Sequence, residues 1–133
     1  MNTKTTNPAY DYSIMIADEL IALDTLLTWR SDDDEKLEAL QLLEMDPDTD
    51  PDDAISIYLN ETALDLAIRR DTRGSEHPAT IEILRTCGGP HCDIKRDTND
   101  GTAIEVTTYD GQHRYTHRVY LPALSDYLDQ IAD

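Results

Sequence analysis

Cys87, Cys92, His113 and His117 follow a Cys-x4-Cys and His-x3-His order, the residue types of a zinc-finger ligand set with a stretched spacer. A strand rises about 3.3 Å per residue, so His113 and His117 on one strand stand about 13 Å apart and cannot share an ion. On a helix they would be one turn apart, but Gln112 to Tyr120 reads as the second strand of a hairpin. The expectation is a zinc-free protein in which the two histidines line a sheet face beside Tyr115. Asp46, Asp48 and Asp50 have the one-three-five spacing of a calcium loop, but Pro51 takes the place of its glycine and Ile57 that of its bidentate glutamate. Neither Cys87 with His91 nor Ser75 with His77 makes a convincing nucleophile and base: Cys87 precedes a tight Gly-Gly turn, and the second pair sits in a loop. Gly88-Gly89 lacks the following helix and lysine of a phosphate cradle. Nothing in the residue types supplies nucleophile, base and electrophile together, so no enzyme activity and no cofactor are expected.

Carboxylates are the remaining chemistry, and their distribution is uneven. Between Ser31 and Asp53 lie eleven of them, Asp32, Asp33, Asp34, Glu35, Glu38, Glu44, Asp46, Asp48, Asp50, Asp52 and Asp53, against one cation, Lys36. The formal net charge is -17 over 133 residues, and residues 1–60 supply -12 of it (3 basic minus 15 acidic). Such a field repels nucleic acid and anionic membrane and draws basic partners. The bias of 20 Asp against 8 Glu also matches the composition of salt-adapted proteins. Salt adaptation, however, spreads acid over a surface, whereas here it is concentrated in one stretch.

One domain over 1–133 is expected, with an acidic helical part at 1–60 and a β-meander plus C-terminal helix at 61–133. Phe is absent and Trp29 is the one tryptophan, so an aliphatic core is expected with some of the seven tyrosines at its edge. No apolar run reaches the roughly 18 residues of a membrane span, and Met1 to Ala9 lacks the order of a signal peptide, which makes the cytoplasm the expected location. Two cysteines there read as free thiols.

Ile14, Ile16, Leu20, Leu23 and Leu27 give helical periodicity from Tyr12, with Asp11 or Ser13 able to cap its start. Ser31 with Asp34 offers a capping box for a second helix, whose Leu37, Leu40 and Leu43, with Leu42 and Met45, read as one buried stripe. Asp46 to Asp53 breaks that helix with two prolines, and Pro51 and Asp52 start a short third one. Alternation then takes over around Leu64–Arg69, Ile81–Leu84, His91–Arg96, Thr102–Tyr109 and Gln112–Tyr120, with a loop at Arg73–Pro78 and turns at Cys87–Pro90 and Thr98–Gly101. Asp110-Gly111 suits a two-residue type I′ turn that sets Val106 opposite Tyr115 and Ile104 opposite His117. Arg69, Arg70 and Arg73, and Lys95 with Arg96, read as members of cross-strand pairs. Pro122 starts a last helix with Leu124, Leu128 and Ile131 on one stripe. The fold class is α+β: N-terminal helices, an antiparallel meander of about five strands, and a C-terminal helix, with helices on one sheet face.

The stretch Ile81-Glu-Ile-Leu-Arg-Thr-Cys-Gly-Gly-Pro-His-Cys-Asp-Ile94 resembles a strand-Thr-Gly-Gly-Pro-strand pattern in small acidic proteins of phages, prophages and plasmids, with Cys87 inserted between the threonine and the glycines. The resemblance covers the second half of the chain and carries no assigned activity. It implies a mobile-element context and hence a role against a host defence.

Together these expectations describe a nonenzymatic inhibitor of anti-CRISPR or antirestriction type, a DNA mimic. Its partner-binding residues are Asp32, Asp33, Asp34, Glu35, Glu38, Asp46, Asp48, Asp50, Asp52 and Asp53. The expected partner is a basic host nuclease or CRISPR effector, with neither nucleic acid nor membrane bound directly and a homodimer possible. In an extended loop, aspartates at alternate positions advance about 6.6 Å, close to phosphate spacing along one strand. The rival is an accessory phage structural or assembly protein whose acidity serves solubility or salt adaptation.

Overall fold

A computed structural model describes residues 8–28, 32–62, 65–70, 79–86, 91–98 and 101–132. Helix α1 (Pro8–Leu27) is followed by α2 (Asp33–Leu42) and α3 (Pro51–Ile57), which runs on into a π-helical turn at Tyr58–Thr62. Five strands follow, β1 (Asp65–Arg70), β2 (Ala79–Thr86), β3 (His91–Asp97), β4 (Ala103–Asp110) and β5 (His113–Tyr120), and α4 (Pro122–Ala132) comes last. The strands pair antiparallel in sequence order, a meander, and the chain is therefore α+β as its alternation predicts.

Period-two alternation decides which face is buried. Ile81 and Ile83 on β2, Cys92, Ile94 and Arg96 on β3, and Ile104, Val106 and Thr108 on β4 share one face by register and are all buried. Onto that face pack α1, through Ile16, Leu20 and Leu23, and α4, through Leu124 and Leu128; Ile55 and Tyr58 join the same core. A smaller cluster of Ala22, Leu26, Ala39, Leu40 and Ala54 seats α2 against α1 and α3. Cys92 is fully buried and receives a hydrogen bond from Thr108 Oγ1 at 3.7 Å, so its thiol is occupied as a core group. Cys87 and the turn to Pro90 lie outside the described residues, as do Trp29, Ser31, Arg73 and the loop to Pro78.

Several local expectations need correction. Helix α1 already includes Pro8, one turn before Tyr12, and Ala9 there is fully buried. Ser13 is no cap: its hydroxyl donates to the Tyr10 carbonyl at 2.8 Å within the helix. The capping box of α2 sits one residue later than expected. Asp32 Oδ1 accepts the Glu35 N–H at 2.8 Å while Glu35 Oε1 accepts the Asp32 N–H at 3.2 Å. Glu reaches back to the cap N–H more readily than the shorter Asp34 side chain, which favours this register.

The β4–β5 turn is likewise displaced. Asp110 and His113 close it and Gly111-Gln112 form the loop, so Val106 stands opposite His117 and Ile104 opposite Val119. Gly111 has φ +62° and is the one loop residue with positive φ, the pattern of a turn with glycine first; a type I′ turn would need positive φ at a second, side-chain-bearing residue. Each strand moved by one residue, so the buried face is unchanged.

Candidate partner-binding surface

All eleven carboxylates between Asp32 and Asp53 are exposed. Their positions follow from three local devices. Asp33, Asp34 and Glu35 occupy the first turn of α2, where the helix dipole favours anions. At the far end α2 closes with the Glu44 N–H donating to the Gln41 carbonyl at 3.0 Å and the Met45 N–H to the Leu40 carbonyl at 2.9 Å. This is a Schellman closure, and it puts Glu44 at φ +59°, a conformation that glycine ordinarily supplies. Next, Asp46 Oδ1 accepts the Asp48 N–H at 2.9 Å and the Asp46 carbonyl accepts the Thr49 N–H at 3.0 Å, a tight turn around Pro47. Asp50 then precedes α3, whose first turn holds Asp52 and Asp53 behind Pro51.

The aspartates of the linker are therefore not threaded on an extended strand, and the even 6.6 Å advance expected for them does not apply; they are displayed on two turns and a helix start. Asp32, Glu35 and Asp46 spend oxygens on the backbone. The side chains of Asp33, Asp34, Glu38, Glu44, Asp48, Asp50, Asp52 and Asp53 have no hydrogen-bond or ion-pair partner among the described residues. Lys36 is half-buried and shares a second groove with Asp33, Asp34 and Leu37.

The leucines of α2 are not one buried stripe. Leu40 is 4% exposed, but Leu37 is 39% and Leu42 is 49% exposed. Each residue turns the helix by about 100°, so a repeat of three falls about 60° short of a turn and rotates off the packed face. Beside Leu42, Ile21 on α1 is 44% exposed, and a groove of about 240 Å³ runs between the two helices there. This apolar strip among the acids was missed at the level of sequence, because Ile21 fits the core periodicity of α1 and Leu42 that of α2.

Elsewhere several charges are consumed within the fold. Glu19 takes both Arg85 Nε (2.9 Å) and Nη2 (2.8 Å), and accepts the Tyr58 hydroxyl at 2.9 Å. Burial, reinforced by the Glu19 carboxylate, holds the Tyr58 phenol well above its ordinary value and keeps it a donor. Arg96 is 2% exposed, forks onto Asp129 of α4 at 2.9 Å through both Nε and Nη2, and donates to the carbonyls of Gly101 and Ala103. The expected cross-strand role fails for Arg96, which has the core parity of β3. Lys95, on the opposite parity, stands between Glu82 and Glu105 in register. Asp24 of α1 accepts the Leu124 N–H at 2.9 Å and so caps α4 from a hundred residues away. A cavity of about 860 Å³ touches Asp24, Arg96 and Asp129, but these groups already answer one another or the backbone.

Tyr115 stacks near His117 with ring centroids 6.4 Å apart and takes the edge of Tyr10 at 4.7 Å, which fixes the start of α1 on β5. Among the described residues no group of three or more His, Cys, Asp or Glu side chains is arranged to hold a metal. No described helix is long and apolar enough to cross a membrane. Comparison with known protein families, curated proteins and solved structures returns no match for this chain.

Proposed function

We propose that this chain is a nonenzymatic inhibitor carried by a mobile genetic element. It acts in the host cytoplasm by laying its Asp32–Asp53 surface on the basic nucleic-acid groove of a CRISPR or restriction complex. The observation that carries the reading is the display of eleven exposed carboxylates around a single lysine, eight of them with no side-chain partner among the described residues. Beyond the cap at Asp32 and Glu35, the turn at Asp46 and the acids at helix starts, like charges at this density repel one another, and a basic partner would relieve that repulsion. Duplex DNA presents a charge every about 1.7 Å, and a groove built to neutralise phosphates accepts carboxylates on the same electrostatic terms. The strand-Thr-Cys-Gly-Gly-Pro-strand resemblance adds the mobile-element context.

The test is release of labelled duplex DNA from purified CRISPR effectors and restriction enzymes, followed by gel mobility. At least one effector should lose its DNA to the wild-type chain. Converting Asp33, Asp34, Asp48, Asp52 and Asp53 to Asn and Glu38 to Gln should weaken that release about tenfold or more, and most at low salt. Equal potency of the neutralised variant, or retention of DNA by every effector, would contradict the proposal. The substitutions avoid Asp32 and Asp46, whose oxygens hold the backbone.

A further inference from the structure

The acidic half carries an apolar groove as well as charge, and the two together specify an occupant. Ile21 and Leu42, 44% and 49% exposed, wall a groove of about 240 Å³ between α1 and α2. Its floor is Ala22 and Ala39, small residues that let the helices approach and leave room for an inserted aliphatic side chain. Asp18, Glu35 and Glu38 stand around it, and no cation is among its described lining residues. Exposed aliphatics standing singly need no explanation, but Ile21 and Leu42 line one groove, and it lies beside the part of the surface richest in carboxylates.

We infer that this groove receives a cationic amphipathic helix of the partner protein, with one aliphatic side chain seated between Ile21 and Leu42 and Lys or Arg residues one turn to either side meeting Asp18, Glu35 and Glu38. A second copy of the chain is a poor occupant, because a two-fold contact would set these carboxylates against themselves. Nucleic acid and anionic lipid are repelled by the same groups. A helix suits a cleft between two helices, since residues three and four apart then present anchor and charges on one side. The inference rests on the reading of the acidic half as a partner-binding surface, and it adds an apolar anchor that a pure phosphate mimic does not need.

The probe is a synthetic Lys/Leu peptide of about 18 residues with leucines in helical register, compared with the same peptide carrying Ala for every Leu, each titrated by calorimetry and by methyl NMR. The Leu peptide should bind about tenfold more tightly, the worth of one buried aliphatic side chain, and should shift the Ile21 and Leu42 methyls. Ile21→Gln with Leu42→Gln, at exposed positions where folding can be confirmed by circular dichroism, should abolish that preference. Asp48→Asn with Asp52→Asn and Asp53→Asn, outside the groove, should weaken both peptides alike. Equal binding of the two peptides, or an unchanged preference in the Ile21/Leu42 variant, overturns the groove while leaving a purely electrostatic surface standing. Failure of both peptides to bind at low salt overturns that underlying reading too. Concentration-dependent shifts of the Ile21 and Leu42 methyls without peptide would give the groove to a second copy and overturn the inference.

Discussion

Residues 32–53 hold eleven exposed carboxylates around Lys36, whereas two ion pairs tie the sheet to the helices that cover it: Glu19 with Arg85, both about 15% exposed, and Arg96 with Asp129. The second arrangement ties distant parts of the chain. Glu19 joins α1 to β2 and, through Tyr58, to the π-turn; Arg96 joins β3, the turn before β4, and α4. In the first arrangement only capping and turn contacts are made, and most oxygens face water. Charge in this protein is structural where it is buried and opposed, and surplus to the fold where it is exposed and alike. The two regions should therefore respond oppositely to substitution.

The largest effect should come from Arg96→Met, which leaves the Asp129 carboxylate and the Gly101 and Ala103 carbonyls without their donor. Breaking a buried pair from one side should cost about 3 kcal/mol in a urea titration. Glu19→Gln should cost about 2 kcal/mol, since Arg85 keeps a single neutral acceptor in place of a bidentate carboxylate. If either change were nearly neutral, the distinction between structural and surplus charge would not hold.

Asp24 sharpens the comparison, because it is a structural acid that is only half-buried. Burial raises its pKa above 3.8, partly offset by the Leu124 and Ala123 N–H groups. Its protonated form is thus favoured on folding: the contribution is full below pH 3.8 and is lost as pH rises through the raised value. Asp24→Asn should remove that slope and be at least as stable at neutral pH, while Asp24→Ala should cost about 1 kcal/mol by orphaning the start of α4. Thermal melts of the three proteins across the acid range measure both outcomes. Glu44→Gly should act in the opposite direction, stabilising by about 0.5 to 1 kcal/mol, because φ +59° is strained for a residue with a side chain.

The meander was legible because its buried strands alternate cleanly and its turns carry Gly, Asn and Asp. The β4–β5 turn and the α2 cap were each displaced by one residue, which shifts the strand pairing by two, since competing neighbours offered the same turn or cap chemistry and only packing chose between them. The long-range pairs were less visible, although Arg85 and Arg96 do lie on the apolar parity of their strands, and a charge at such a position signals a buried partner. The acidic stretch was plain as composition. Its display on turns instead of an extended line was not, because Asx and Schellman closures depend on backbone angles that neighbouring residues settle jointly. The exposed Ile21 and Leu42 were hidden within otherwise core-like helical periodicity.

That the charge of residues 32–53 is surplus to the fold is tested most directly by thermal melting of wild type and of the variant neutralised at Asp33, Asp34, Glu38, Asp48, Asp52 and Asp53, each at about 10 mM and about 1 M salt. Wild type should melt cooperatively at low salt, the variant should melt at the same or a higher temperature there through relief of self-repulsion, and the two should converge at 1 M, where the Debye length is about 3 Å. A wild-type chain that is unfolded in dilute buffer and folds only near molar salt, or a variant that melts well below wild type at low salt, would contradict the account.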